Sequence, residues 1–240
     1  MNIGAMGTRT TRMGRVFTDF MRILRQALTV GCRSFIMAAM TTDVNSPDFW
    51  DESYQNGRFP WDLGRPAPVF ARLAREQRFD PGKMLVAGAG LGHDAHLFAR
   101  HGFEVTAVDF AHKAIAQIKA LASPDAPINA VQADFFWLPP AFNAQFDYVL
   151  EYVFFCAIDP ARRPDYADTV ARLLAPGGAF ICLAFPIGRR SGGPPFVVQP
   201  DAIIALFEQR GLVLQHREMP PDSAPKRQGI EELLIFEKAA

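Results

Sequence analysis

Residues 83–109 read KMLVAGAGLGHDAHLFARHGFEVTAVD, and their order decides the fold. Lys83 to Ala87 is a short apolar run with the composition of a buried strand. Gly88-Ala89-Gly90-Leu91-Gly92 is a turn rich in the residue that tolerates left-handed backbone. His93 to His101 has helical spacing, and Glu104 to Asp109 is a second apolar strand. A strand, a glycine turn, a helix and another strand within so few residues form the repeating unit of a parallel α/β sheet.

Outward from this unit the alternation continues. The pattern predicts a helix over Ala111 to Leu121, strands over Ile128 to Gln132 and Phe146 to Tyr152, and a helix from Arg162 to Leu174 that stops at Pro176, Gly177 and Gly178. A fifth strand over Ala179 to Phe185 precedes a Gly/Pro loop from Ile187 to Pro195. A helix over Asp201 to Arg210 then leads into closing strands at Leu212 to Met219 and Glu231 to Lys238. The expected architecture is therefore α/β, one mostly parallel seven-stranded sheet with helices on both faces.

With 49% hydrophobic and 21% charged residues among 240, the chain is long enough for one large core. Lys+Arg and Asp+Glu both number 25, a formal charge of zero. That balance argues against a nucleic-acid partner, which needs a basic surplus to neutralise phosphates. The distribution is uneven, however. Residues 1–40 hold six Arg and the single acid Asp19, which leaves 19 basic and 24 acidic residues beyond them. Val16, Phe17, Phe20, Met21, Leu24 and Leu28 repeat at helical spacing opposite Arg15, Arg22 and Arg25. This basic amphipathic leader reads either as a targeting or membrane-surface segment or as an extension ahead of a start at Met37 or Met40. The remainder, 41–240, is expected to be one domain. Cys32, Cys156 and Cys182 lack disulfide or zinc spacing. No apolar run reaches the length of a membrane span. A cytoplasmic monomer without stable membrane insertion is the expectation, and no metal site is expected.

The chemistry concentrates at the strand ends. The glycine turn lets the backbone approach a nucleoside ligand. Asp109, ending the second strand, is placed to accept from two ribose hydroxyls. Asp134, following the third strand, suits an adenine amino group, with Phe135 supplying an apolar face. Each acid also reads as a loop residue or helix cap. A dinucleotide fingerprint calls for Gly where His93 stands, so a pyrophosphate is disfavoured and an adenosine-containing methyl donor, S-adenosyl-L-methionine, is favoured over NAD. His93 and His96, three apart on a helix, read as packing residues before metal ligands. No nucleophile motif is present, so covalent catalysis is not indicated.

Longer strings carry a family likeness. Phe49-Trp50-Asp51-Glu52-Ser53-Tyr54 and Pro60-Trp61-Asp62-Leu63-Gly64-Arg65-Pro66 resemble the opening segment of the thiopurine S-methyltransferase superfamily. The stretches Tyr152 to Pro160, Gly192 to Phe196 and Pro221 to Pro225 resemble its plant-type branch, the halide/thiol/thiocyanate methyltransferases. The resemblance implies a class I, Rossmann-like methyltransferase that uses S-adenosylmethionine, with a lid over 48–66. It implies that Trp50, Tyr54 and Trp61 cover the donor, that Gly88 approaches its methionine part, Asp109 its ribose and Asp134 with Phe135 its adenine, and that Tyr152 lies near the reacting methyl as the catalytic residue. The chain departs from the branch pattern where Tyr54 replaces Trp, Ala87 and Ala89 replace Pro and Cys, Glu151 replaces Asp, and Arg189-Arg190 replaces an acidic, His-containing stretch.

The expected activity is methylation of small thiols or soft anions such as thiocyanate, bisulfide or halide, bound beside Tyr152 and Phe155 in a dry pocket without a strong base. Two alternatives stay open. One is a thiopurine or other aromatic-thiol acceptor paired with Arg189 and Arg190, and the other is a non-catalytic protein that binds an adenosyl ligand.

Overall fold

The computed structural model describes residues 43–57 and 59–239, and the leader at 1–40 lies outside them. The strands are β1 Lys83–Ala87, β2 Glu104–Asp109, β3 Ile128–Gln132, β4 Phe146–Tyr152, β5 Leu174–Ala184, β6 Leu212–Glu218 and β7 Glu232–Lys238. They form one seven-stranded sheet in the order β3-β2-β1-β4-β5-β7-β6. β1 to β5 run parallel, and β7 is antiparallel to both β5 and β6. Six α-helices are described: α1 Pro47–Gln55, α2 Pro68–Arg75, α3 His93–Arg100, α4 His112–Leu121, α5 Arg163–Leu173 and α6 Pro200–Glu208. None of them is long and apolar enough to cross a membrane.

Strand alternation divides the core. Met84 and Val86 point to a layer with Phe70 of α2, Phe98 of α3 and Ile115 and Ile118 of α4. Leu85 and Ala87 point the other way, to Tyr166, Val170 and Leu173 of α5 and Phe207 of α6. Helices therefore cover both faces, and each fully buried side chain of this size contributes roughly 1.5–3 kcal/mol. Because β1 lies between β2 and β4, the connections leave it in opposite directions. That reversal opens a crevice at the carboxyl ends of the strands.

Two features differ from the sequence reading. β5 begins at Leu174, directly after α5, instead of after a loop at Pro176 to Gly178. Leu174 pairs with Phe146, and the ladder shifts register before Ala179 pairs with Tyr148. The Pro-Gly-Gly segment thus acts as a bulge, with Gly177 at φ 75° and Gly178 placed where a Cβ would stand 3.0 Å from the Phe146 carbonyl oxygen. Helices α1 and α2, ahead of the sheet, were not predicted. α1 turns a half-buried face with Phe49, Trp50, Ser53 and Tyr54 toward the rest of the cover, and none of its residues is fully buried. Its cues are the Ser46 side chain, which accepts from the Asp48 amide at 3.3 Å, and Pro47 in its first turn.

Candidate active site

At the carboxyl ends of β1, β2 and β4 the crevice widens into a cavity of about 1150 Å³. Trp50, Tyr54, Trp61, Gly88, Asp109, Asp134, Phe135 and Tyr152, far apart in sequence, all line it. Gly88 sits at φ 56°, and a Cβ there would come within 2.7 Å of Phe154 Cβ and overlap its ring. Only glycine brings this backbone to the cavity floor.

Asp109 is 9% exposed. Its Oδ2 accepts from the Gly90 amide at 2.9 Å and its Oδ1 from the Ala111 amide at 2.9 Å. Burial pushes its pKa up to about 6, against the pull of these two amides. The carboxylate thus pins the glycine turn to the start of α4 and keeps unused lone pairs for a ligand. Asp134 is half-buried and caps a short turn, its Oδ1 accepting from the Phe136 amide at 2.9 Å. Its other oxygen remains for a donor on a ligand. Phe135 borders the cavity, but its ring is 3% exposed and stacked on Tyr166 at 5.1 Å. Phe136, half-buried beside it, also lines the cavity and carries the Arg162 guanidinium 3.6 Å from its ring centre.

The segment ahead of the sheet forms an aromatic cover. Trp61 meets Trp50 edge-on at 5.3 Å and Tyr54 edge-on at 5.7 Å. Trp50 Nε1 donates to the Val44 carbonyl at 2.9 Å. The Tyr54 hydroxyl lies 3.4 Å from where a Cβ on Gly90 would stand, so the cover reaches down to the glycine turn. Burial, with Asp109 nearby, raises the Tyr54 hydroxyl's pKa and keeps it neutral. Asp62 and Asp94, both cavity-lining, add carboxyl groups on this side. Asp94 accepts from the Ala67 amide at 2.8 Å, and burial lifts its pKa to about 7.

Beyond β4 the chain turns on Glu151, which is 2% exposed. Its Oε1 accepts from the amides of Phe154 at 3.0 Å and Phe155 at 2.7 Å, and its Oε2 from the Tyr166 hydroxyl at 2.8 Å. The turn forces Val153 to φ 60°, a rare conformation for a β-branched residue. It sends Phe154 to the cavity and Phe155 into the core, edge-on to Tyr166 at 5.2 Å. The sequence expectation of Phe155 beside the acceptor is therefore corrected to Phe154. The Tyr152 ring borders the cavity, while its hydroxyl donates to Glu231 and accepts from Arg227. Arg227 is not among the residues expected from the sequence, because its partners Tyr152 and Trp61 are distant along the chain. A Lys-Arg pair directly after the Pro221 to Pro225 string was the available signal.

Arg190, Pro194, Pro195 and Lys226 complete the rim, whereas Arg189 does not line it. Among the described residues no group of His, Cys, Asp and Glu could hold a metal ion. His96 is 5% exposed and His93 lies 3.2 Å from Asp62. Cys156 and Cys182 are buried free thiols, and burial pushes the pKa of both up.

The free lone pairs of Asp109 and Asp134, the exposed backbone of Gly88 and the aromatic cover fit S-adenosyl-L-methionine. Asp134 and Phe136 would hold the adenine, Asp109 the ribose diol, and Gly88 with Asp62 and Asp94 the ammonium-bearing methionine part.

Known proteins point to the same donor. The family model described as thiopurine S-methyltransferase matches residues 45–233. The probable thiol methyltransferase 2 of Arabidopsis thaliana is 36% identical over 204 residues, covering 82% of this chain and 87% of that protein. Thiocyanate methyltransferase 1 of Brassica oleracea is 34% identical over 193 residues, covering 79% and 84%. A solved structure of the Burkholderia thailandensis 1,6-didemethyltoxoflavin-N1-methyltransferase, with its substrate and S-adenosylhomocysteine bound, shares the fold at TM-score 0.62 and 20% identity, covering 81% of this chain and 87% of that one. The family match covers most of the described residues and the relatives exceed 30% identity over most of their length: the chain belongs to the thiopurine S-methyltransferase family, enzymes that use S-adenosyl-L-methionine.

Proposed function

We propose that this enzyme methylates small thiols or soft inorganic anions such as bisulfide, thiocyanate or a halide, and that it does so in the cytoplasm. When bound, S-adenosyl-L-methionine supplies an electrophilic methyl group on a sulfonium. The observation that carries the reading is the composition of the cavity wall over β4 and β5. Tyr152, Phe154, Ile158 and Phe185 line it, and the two carboxyl groups that flank it behind the lining are bonded to protein donors. Glu151 holds the turn after β4, and Glu231 accepts from Tyr152.

Such a wall strips water from a soft anion and holds it against the donor's methyl group. Desolvation and alignment then supply the acceleration. An oxygen or amine acceptor would call for a positioned general base, which the wall does not offer. Tyr152 takes the catalytic position, with its ring against the acceptor and its hydroxyl bracing Arg227. The plant relatives' names, thiol and thiocyanate methyltransferase, support the same acceptor class. The cavity's size and the exposed Arg190 at its rim favour one second reading, a bulkier aromatic thiol bearing an acidic group.

Headspace chromatography with S-adenosylmethionine and thiocyanate, bisulfide, iodide or an aromatic thiol decides between them. The proposal expects methyl thiocyanate and methanethiol to form with higher kcat/KM than the methylated aromatic thiol. Turnover confined to the aromatic thiol would overturn it.

A further inference from the structure

The charges that line the cavity are sorted by side. Asp62, Asp94, Asp109 and Asp134 all stand where the donor fits, on the lid, at the start of α3 and after β2 and β3. The loops after β5 and before β7 line the opposite side with Arg190, Lys226 and Arg227 and with no carboxyl group. Arg227 is paired with Glu231, 3.7 Å from its Nη1, so its charge is offset. Arg190 and Lys226 are exposed, and neither forms an ion pair among the described residues.

The backbone fixes these two cations at one end. The Ile187 amide donates to the Ile230 carbonyl at 3.1 Å and joins the two loops. Further along the first loop, the Gly188 carbonyl accepts from Gln199 Nε2 at 3.3 Å, and the Phe196 amide donates to the Cys156 carbonyl at 2.7 Å. Between these anchors Arg190 lines the cavity and its neighbour Arg189 does not. Lys226 directly precedes Arg227, whose bonds to Tyr152 and Trp61 tie the second loop to the end of β4 and to the lid. Tyr152 and Phe154, the rings against which the acceptor's sulfur fits, form the inner wall, and the two free cations stand on the rim beyond them.

We propose that, among small thiols, the enzyme selects those that carry a carboxylate or another anionic group a few bonds from the sulfur, and that Arg190 and Lys226 bind that group at the rim. The assignment rests on the small-acceptor reading above and names the thiols within it. Beyond residue 40 the chain holds 24 acidic and 19 basic residues, so an anion meets a repelling body everywhere except at such a local pair. One exposed ion pair contributes little, but two cations on adjoining loops can share one carboxylate. A neutral thiol gains nothing from either of them. The anionic group takes no part in the methyl transfer, so its contribution appears in KM.

The test uses the full chain, with mercaptopropionate and its uncharged counterpart mercaptopropionamide as acceptors. The two thiols differ in their own acidity, so the quantity read is the KM of the amide divided by the KM of the acid, compared between proteins. In Arg190→Gln/Lys226→Gln this ratio is expected to fall about fivefold or more, the loss of two exposed ion contacts. Raising salt to about 1 M, where screening acts over roughly 3 Å, should lower the wild-type ratio in the same direction without any substitution. Arg189→Gln removes the same charge from the same loop and should keep the ratio within about twofold. Calorimetry with S-adenosylhomocysteine and a melting curve accompany each variant. A ratio unchanged in the double variant would overturn the assignment, as would an equal fall in Arg189→Gln, which would make it a property of the loop's overall charge. Loss of S-adenosylhomocysteine affinity in the double variant would place the cations on the donor and overturn it too. A wild-type enzyme that methylates thiocyanate or bisulfide but neither thiol would overturn this proposal alone. One that binds S-adenosylhomocysteine and methylates none of the four would overturn the small-acceptor reading itself.

Discussion

Asp109→Ala is expected to weaken binding of S-adenosylhomocysteine by about a hundredfold or more. The ribose diol loses a charge-assisted acceptor worth about 1.5–3 kcal/mol, a factor of roughly ten to a hundred. The glycine turn loses its anchor as well, because the Gly90 and Ala111 amides both donate to this carboxylate. Two amides stranded at 1–3 kcal/mol each also lower the melting temperature, by about 2–4 °C per kcal/mol for a domain of this size. Calorimetry on the folded variant reads the first effect and a thermal melt the second. In the wild type, affinity should fall as pH drops below about 6, because burial raises the Asp109 pKa to about that value and the protonated carboxyl offers one acceptor fewer. Affinity unchanged in the variant and flat with pH would move the ribose elsewhere.

Glu151→Ala should have the largest effect on stability. Its carboxylate takes three buried donors, the Phe154 and Phe155 amides and the Tyr166 hydroxyl. Leaving them unpaired costs about 1–3 kcal/mol each, so a fall of roughly 10 °C or more in melting temperature is expected. Without the anchor Val153 need not hold φ 60°, and Phe154 leaves the cavity wall. Turnover should therefore fall further than stability alone accounts for.

Glu151→Gln isolates the charge. Burial raises the folded-state pKa from 4.5 to about 7, so the unfolded chain releases this proton first as pH rises. The group's contribution to stability is then full below about 4.5, declines through the interval and is lost above about 7. Melting temperatures measured across that range should fall more steeply for wild type than for Glu151→Gln, and parallel curves would refute the assignment.

The sheet was legible because each strand is a short apolar run bounded by Gly, Pro or charge, and buried parallel strands need little else. The places of Gly88, Asp109 and Asp134 at strand ends on the cavity were legible for the same reason. What sequence could not resolve depends on direction within a turn. Phe154 and Phe155 are alike in type, and only the Glu151 anchor and the φ of Val153 decide which one faces the cavity. Arg227 escaped for a related reason. Its partners Tyr152 and Trp61 lie 75 and 166 residues away, and no periodicity links them.

The central claim is that one cavity runs from Asp134 across Asp109 and Gly88 to Tyr152, with the donor along it and the acceptor at its β4 end. A crystal structure of the full chain with S-adenosylhomocysteine tests this most directly. The account predicts adenine at Asp134, ribose hydroxyls on Asp109 and the sulfur in van der Waals reach of the Tyr152 and Phe154 rings under the Trp50, Tyr54 and Trp61 cover. A ligand running the other way, with its sulfur remote from Tyr152 or its ribose off Asp109, would contradict it.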